Sequence, residues 1–165
     1  MYSLLTGAHS IPEFIFVVIV IAATPAICEE LLFRGLVQRT LEEGDAGSSE
    51  ERKRRGLMAA IVAGVVFGFY HLNPFTLIPL VVLGVYFGFV VYRTQNIVTS
   101  IAAHFFNNFL ACLAVYLNLR DDFLAVSPTA PPTPDVLAIN YAVCAVVFVT
   151  ATYYLVRVTE RPTAL

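Results

Sequence analysis

Long apolar runs separated by short polar ones dominate the chain. Five runs approach or reach the 17–25 residues that a transmembrane helix requires: about 11–36, 57–72, 76–92, 97–117 and 136–156. Within lipid every backbone polar group has to be satisfied internally, so runs of this length form helices. The pattern predicts an all-α fold, a polytopic transmembrane bundle of about five spans in one membrane-embedded domain, residues 1–165. No repeat relates the runs. Residues 41–55, rich in Gly, Ser and Glu and ending in Arg52, Lys53, Arg54 and Arg55, read as an exposed loop or frayed helix ends. Residues 127–134, with Pro128, Pro131, Pro132 and Pro134, read as an extended polyproline-like spacer.

Composition agrees with the pattern: 58% of residues are hydrophobic, 13% are charged and the mean hydropathy is +0.76, which marks an integral membrane protein. The net charge of −2 hides a concentration of charge in one loop and suggests no nucleic-acid partner. Cys28, Cys112 and Cys144 lie in separate apolar runs without C-x-x-C spacing and read as small buried hydrophobes. The first run has no Lys or Arg before it and leads into Glu29 and Glu30, so it does not read as a signal peptide. In a five-span arrangement, Arg39, Arg52, Lys53, Arg54, Arg55, Arg93, Arg157 and Arg161 share one side, and Arg120 stands on the other. The positive-inside rule then puts the carboxyl terminus in the cytoplasm and the amino terminus outside.

The charges inside the first run change the picture. Glu29, Glu30 and Arg34 would each cost about 2.5–3.5 kcal/mol at a bilayer-centred helix position, on the order of 8–10 kcal/mol together. The eight apolar residues 14–21 return only about 2.5–5 kcal/mol on that scale. The three must be paired, near an interface, or facing a wet cavity walled by other helices. Glu30 and Arg34, four residues apart, can meet as a structural ion pair, whereas Glu29 points about 100° away and has no local partner.

Two further polar sets lie inside other runs. His71 stands at the end of the second run, just before Asn73 and Pro74, and alone it reads as an interface histidine. His104 and Asn108, four apart in the fourth run, project from one face and could simply hydrogen-bond across helices. With Glu29 also present, convergence of all four is expected. Depth arithmetic opposes this, because in a uniform bundle His71 falls roughly 9 Å to the external side of its span centre while Glu29 and His104 lie cytoplasmic of theirs. The expected resolution is a second span sunk toward the cytoplasm, with residues 73–79 held inside the protein.

These residues carry a resemblance. Glu29-Glu30-Leu31-Leu32-Phe33-Arg34 resembles the E-E-x-x-x-R motif of the CPBP intramembrane proteases, also called the Abi or type II CAAX prenyl endopeptidase family. Phe67 to His71 resembles the family's F-x-x-x-H and His104 to Asn108 its H-x-x-x-N. The resemblance spans about residues 25–110 and implies an intramembrane endopeptidase working on peptides or protein tails near the cytoplasmic membrane face. It implies that Glu29 and His71 activate a water while His104 and Asn108 stabilise the oxyanion, with Glu30 and Arg34 as structural support. Such roles are chemically sound, since a carboxylate beside an imidazole makes a general base and ring or amide N–H groups can hold an oxyanion. A metal-free reaction is expected; in the alternative, Glu29, His71 and His104 would ligate zinc. Members of that family usually carry further helices before the Glu-Glu motif. The five spans are therefore expected to be either a truncated core or a reduced form of the family bundle, whose missing wall a homo-oligomer could supply. The competing readings are a non-catalytic scaffold or immunity-type protein of the same fold, and a transporter, which the lack of inverted repeats disfavours.

Overall fold

The computed structural model describes residues 8, 10–44, 48–117 and 148–159, and among them it is entirely helical. The helices are α1 (Ile11–Glu42), α2 (Ser49–Tyr70), α3 (Leu77–Thr94), α4 (Ile97–Tyr116) and α5 (148–159). Three of them, α1, α3 and α4, are long and apolar enough to cross a membrane. The second run belongs to α2, whose first turns carry Glu50 to Arg55, and α2 is not among these three. Of the expected fifth span, 148–156 is helical within α5, and the rest lies outside the described residues, as do the proline-rich spacer and Cys144. The run 41–55 is less of a loop than its composition suggests. A capping box, in which Ser48 Oγ accepts from the Glu51 N–H and the Glu51 carboxylate accepts from the Ser48 N–H, starts α2 at Ser49.

α1 is one helix of 32 residues, about 48 Å long at 1.5 Å per residue and so longer than a bilayer core. It is wound as a π-helix over Val18–Ala23 and again over Leu31–Gln38. The first wide stretch precedes Pro25, which has no N–H to give to the carbonyl of Ile21 four residues back. Two side chains support the backbone there: Thr24 Oγ1 donates to the Ile19 carbonyl at 2.9 Å, and Asn108 Nδ2 from α4 donates to the Ile21 carbonyl at 3.3 Å. The second wide stretch begins directly after Glu30. Four residues overshoot one turn of an α-helix and fall short of one turn of a π-helix, so mixing the windings lets a row of four-residue spacing run straight along α1. Glu30, Arg34, Gln38 and Glu42 form that row.

α2 and α3 pack through small residues. Gly64 and Gly68 on α2 and Gly84 and Gly88 on α3 form two G-x-x-x-G pairs that bring the backbones together, Gly84 against Gly64, Gly88 against Ala60 and Gly68 against Val81. A methyl group at Gly84 would stand 2.8 Å from the Gly64 carbonyl oxygen, and one at Gly88 would stand 2.9 Å from that of Ala60. Phe67 and Phe87 close the seam on the side facing α1 and α4, both buried. α1 lies against α2 through its second half and against α4 through its first half and middle. Arg93, at the end of α3, fastens α5 by donating to the Val156 carbonyl and to Thr159 Oγ1 at 2.8 and 3.0 Å. The outer faces of α1, α3 and α4 expose Ile15, Phe16, Ile19, Val82, Val98 and Leu110, the side chains lipid would cover.

Candidate active site

The site forms where the middle of α1 meets the end of α2 and the middle of α4. Glu29 and Glu30, adjacent on α1, take different surroundings, as their 100° separation requires. Glu30 is fully buried, and its Oε1 accepts from Arg34 Nη1 at 2.9 Å. Arg34 is itself buried, donates through Nη2 to the Gly84 carbonyl at 2.6 Å, and lies between the rings of Phe67 and Phe87, 4.9 and 5.5 Å from their centroids. This is the expected brace, and it is buried in the protein interior. The same Oε1 of Glu30 is also 2.9 Å from Nδ1 of His104. Glu30 Oε2 has no hydrogen-bond partner among the described residues.

His104 is buried between aromatic rings, stacked on Phe87 at 5.1 Å and 24° and edge-on to Phe67 at 5.8 Å. With Nδ1 on Glu30, its Nε2 points to Glu29 and stands 3.9 Å from Oε2. His71 arrives at the same oxygen from the other side, its Nε2 also 3.9 Å from Glu29 Oε2. It is the C-cap of α2, where its own N–H reaches back only to Gly68 at 3.4 Å. That leaves the Phe67 carbonyl to the His71 ring, whose Nδ1 lies 2.9 Å away. A carbonyl only accepts, so Nδ1 of His71 carries the hydrogen, and in the neutral ring it is Nε2 that presents a lone pair toward Glu29. Leu72 then turns the chain with φ of 50° ahead of Pro74.

Three of the four expected site residues are thus gathered around one carboxylate oxygen. Glu29 and His71 are partly open, with side chains 22% and 29% exposed, while His104 at 4% forms the floor. Asn108, one turn beyond His104, is hydrogen-bonded elsewhere: it donates to the Ile21 carbonyl and accepts from Asn107 at 3.2 Å. The expected sinking of residues 73–79 into the protein does not occur. Leu72 to Thr76, Ile78 and Pro79 are exposed, Phe75 at 94%, because the close α2–α3 seam holds both helices on one side of the turn. Gln38 escaped the sequence reading. It is buried one turn beyond Arg34 and donates to the Gly88 carbonyl at 3.2 Å and to Glu42 at 2.9 Å. Its signal was the four-residue spacing from Glu30 and Arg34.

The zinc alternative can be tested on the donor set. Two ligands on a tetrahedral zinc with bonds of about 2.0–2.1 Å lie about 3.3 Å apart, against the 3.9 Å between Glu29 Oε2 and each imidazole. Among the described residues no group of three His, Cys, Asp or Glu is disposed to hold a metal ion. As placed, Glu29 stands about half an ångström farther from each imidazole than zinc ligands would.

Comparison with known proteins gives the family. The family described as type II CAAX prenyl endopeptidase, Rce1-like, matches residues 11–110, which is more than half of the chain and contains all three motifs. The chain belongs to that family. No curated protein and no solved structure matches it. Membership of the Rce1-like family, with three helices apolar enough to span, makes this an integral membrane protein of a protease family, whose surroundings are the lipid bilayer and whose substrates at a coarse level are proteins.

Proposed function

We propose that the protein is an intramembrane endopeptidase that hydrolyses a peptide bond with a water activated by Glu29 and His71. The observation that carries this is the convergence of His71 Nε2 and His104 Nε2 on a single oxygen of Glu29, each at 3.9 Å. A water held between Glu29 and His71 would give a proton to Glu29 while its oxygen attacks the peptide carbonyl. The His71 lone pair, fixed by the Phe67 carbonyl, accepts the second hydrogen of that water and so orients it. His104 faces the carbonyl carbon from the buried side and, once protonated at Nε2, donates to the oxyanion. Asn108 joins it only by turning its amide from Ile21. No metal takes part.

In this reading substrate reaches the site from the cytoplasmic face, with the carboxyl terminus on that side, the orientation that the positive-inside rule favours for a five-span arrangement. A scaffold that kept these residues only for packing would not need two imidazoles held by separate partners at one half-open carboxylate. Cleavage of a membrane-presented peptide by the purified protein, compared with Glu29→Ala and His104→Ala, tests the proposal. Loss of cleavage in both variants is expected, and undiminished cleavage in either would overturn its role.

A further inference from the structure

The two histidines are anchored differently, and the difference assigns them different work. His71 Nδ1 hydrogen-bonds a neutral carbonyl, that of Phe67, whereas His104 Nδ1 hydrogen-bonds a carboxylate, that of Glu30, both at 2.9 Å. The Glu30 carboxylate is fully buried and its Oε1 also accepts from Arg34, so it acts as an acceptor and Nδ1 of His104 carries the hydrogen. An ionised acceptor stabilises a ring that gains a second proton more than a carbonyl does. The ring that can carry a proton through the reaction is therefore His104, and Nε2 is the atom that carries it.

We propose that Glu30 is a positioning residue that makes His104 the proton carrier to the leaving amine, an inference that rests on the peptidase reading above. The steps balance without any further reactant. Water forms the new C–O bond and gives one proton to Glu29, and the carbonyl π pair moves to oxygen. The proton passes from Glu29 to His104 Nε2, and the resulting imidazolium holds the oxyanion. As the C=O bond re-forms, the C–N bond breaks and its electron pair stays on nitrogen, which takes the proton from Nε2. His104 returns to the neutral ring with its hydrogen on Nδ1. Three constraints keep Nε2 aimed during this cycle: the Glu30 bond, the stack on Phe87, and the anchoring of Arg34 to Gly84, which stops Glu30 from turning. Glu30 itself touches no reacting atom.

The proposal separates from a purely structural role through the leaving group. An amine must be protonated to depart, whereas the alkoxide of an activated ester departs without a proton. The experiment compares cleavage of one peptide as its amide and as an ester with a weakly basic leaving group, by wild type, Glu30→Gln and Glu30→Asp. Glu30→Gln is expected to lower kcat on the amide about 10²-fold or more, with KM little changed, and to lower kcat on the ester by a clearly smaller factor, since the ester loses the oxyanion contact but needs no proton on its leaving group; Glu30→Asp restores part of the amide rate. Equal loss on both substrates overturns the proposal and leaves the peptidase reading standing. Cleavage of neither substrate by wild type overturns the peptidase reading instead. Because Glu30→Gln could fail to fold, the wild type supplies a second test by nitrogen NMR of ¹⁵N-histidine-labelled protein in lipid discs. A hydrogen on Nδ1 of His104 is expected, and a ring protonated only at Nε2 contradicts the assignment.

Discussion

Arg34 on α1 donates to the backbone carbonyl of Gly84 on α3 at 2.6 Å, a contact between residues fifty positions apart at the point where α3 also meets the Gly64 backbone of α2. The seam of glycines brings α2 and α3 together, and the carbonyls of Gly84 and Gly88 within it accept from Arg34 and Gln38. The charged row of α1 is therefore tolerated because a neighbouring helix offers backbone acceptors to it.

Removing the guanidinium would strand a buried carboxylate. Arg34→Met is expected to destabilise the protein by about 3–5 kcal/mol, the usual effect of breaking a buried pair from one side. The double variant Glu30→Gln/Arg34→Met should recover much of that loss. Equilibrium unfolding in mild detergent checks both, and a double variant at least as unstable as Arg34→Met would contradict the pairing.

At Gly84 any side chain meets the Gly64 carbonyl and the Phe67 ring at less than 3 Å. Gly84→Val should cost about 1–3 kcal/mol through overpacking and also weaken the Arg34 anchor. Val82, exposed on the same helix, supplies the control: Val82→Ala is expected to lie within about 0.5 kcal/mol of wild type. Paired thermal melts of the two variants decide the point.

Asn108 has two possible uses that differ in magnitude. As the donor to the carbonyl freed by Pro25, its replacement by Ala costs about 1 kcal/mol of stability and little rate. As an oxyanion donor its loss costs about 10²–10³ in kcat. The geometry of the resting site predicts the first outcome for stability. A large fall in kcat in addition would mean that the amide leaves Ile21 during the reaction.

A reaction run by protein groups alone should survive removal of metals. Protein purified through a strong chelator is expected to keep its cleavage rate, with elemental analysis showing less than one zinc per chain. Loss of activity that zinc restores would require Glu29 and the histidines to draw closer than 3.9 Å around an ion.

Much of this was legible in the residues. The helices follow from apolar run length, and the Glu30–Arg34 pair follows from four-residue spacing and the cost of a lone charge in lipid. What was hidden depended on partners far away in the chain. The π-wound stretches of α1 have one local sign, Pro25, and no sign at all near 31–38. His104 bonding to Glu30 as well as facing Glu29 could not be read from α4, because adjacent glutamates diverge and only a ring with two nitrogens spans the gap between them. Depth reckoning misplaced the turn after His71, since it assumed level spans, whereas the glycine seam fixes α2 by α3.

The central claim is that Glu29 activates the water. Its most direct measurement is the cleavage rate of a membrane-presented peptide by the purified protein and by Glu29→Gln, which keeps the shape of the side chain and removes its basicity. The account predicts a fall in kcat of about 10²–10⁴ with the fold and substrate binding retained. A Glu29→Gln protein that cleaves as fast as wild type would contradict it.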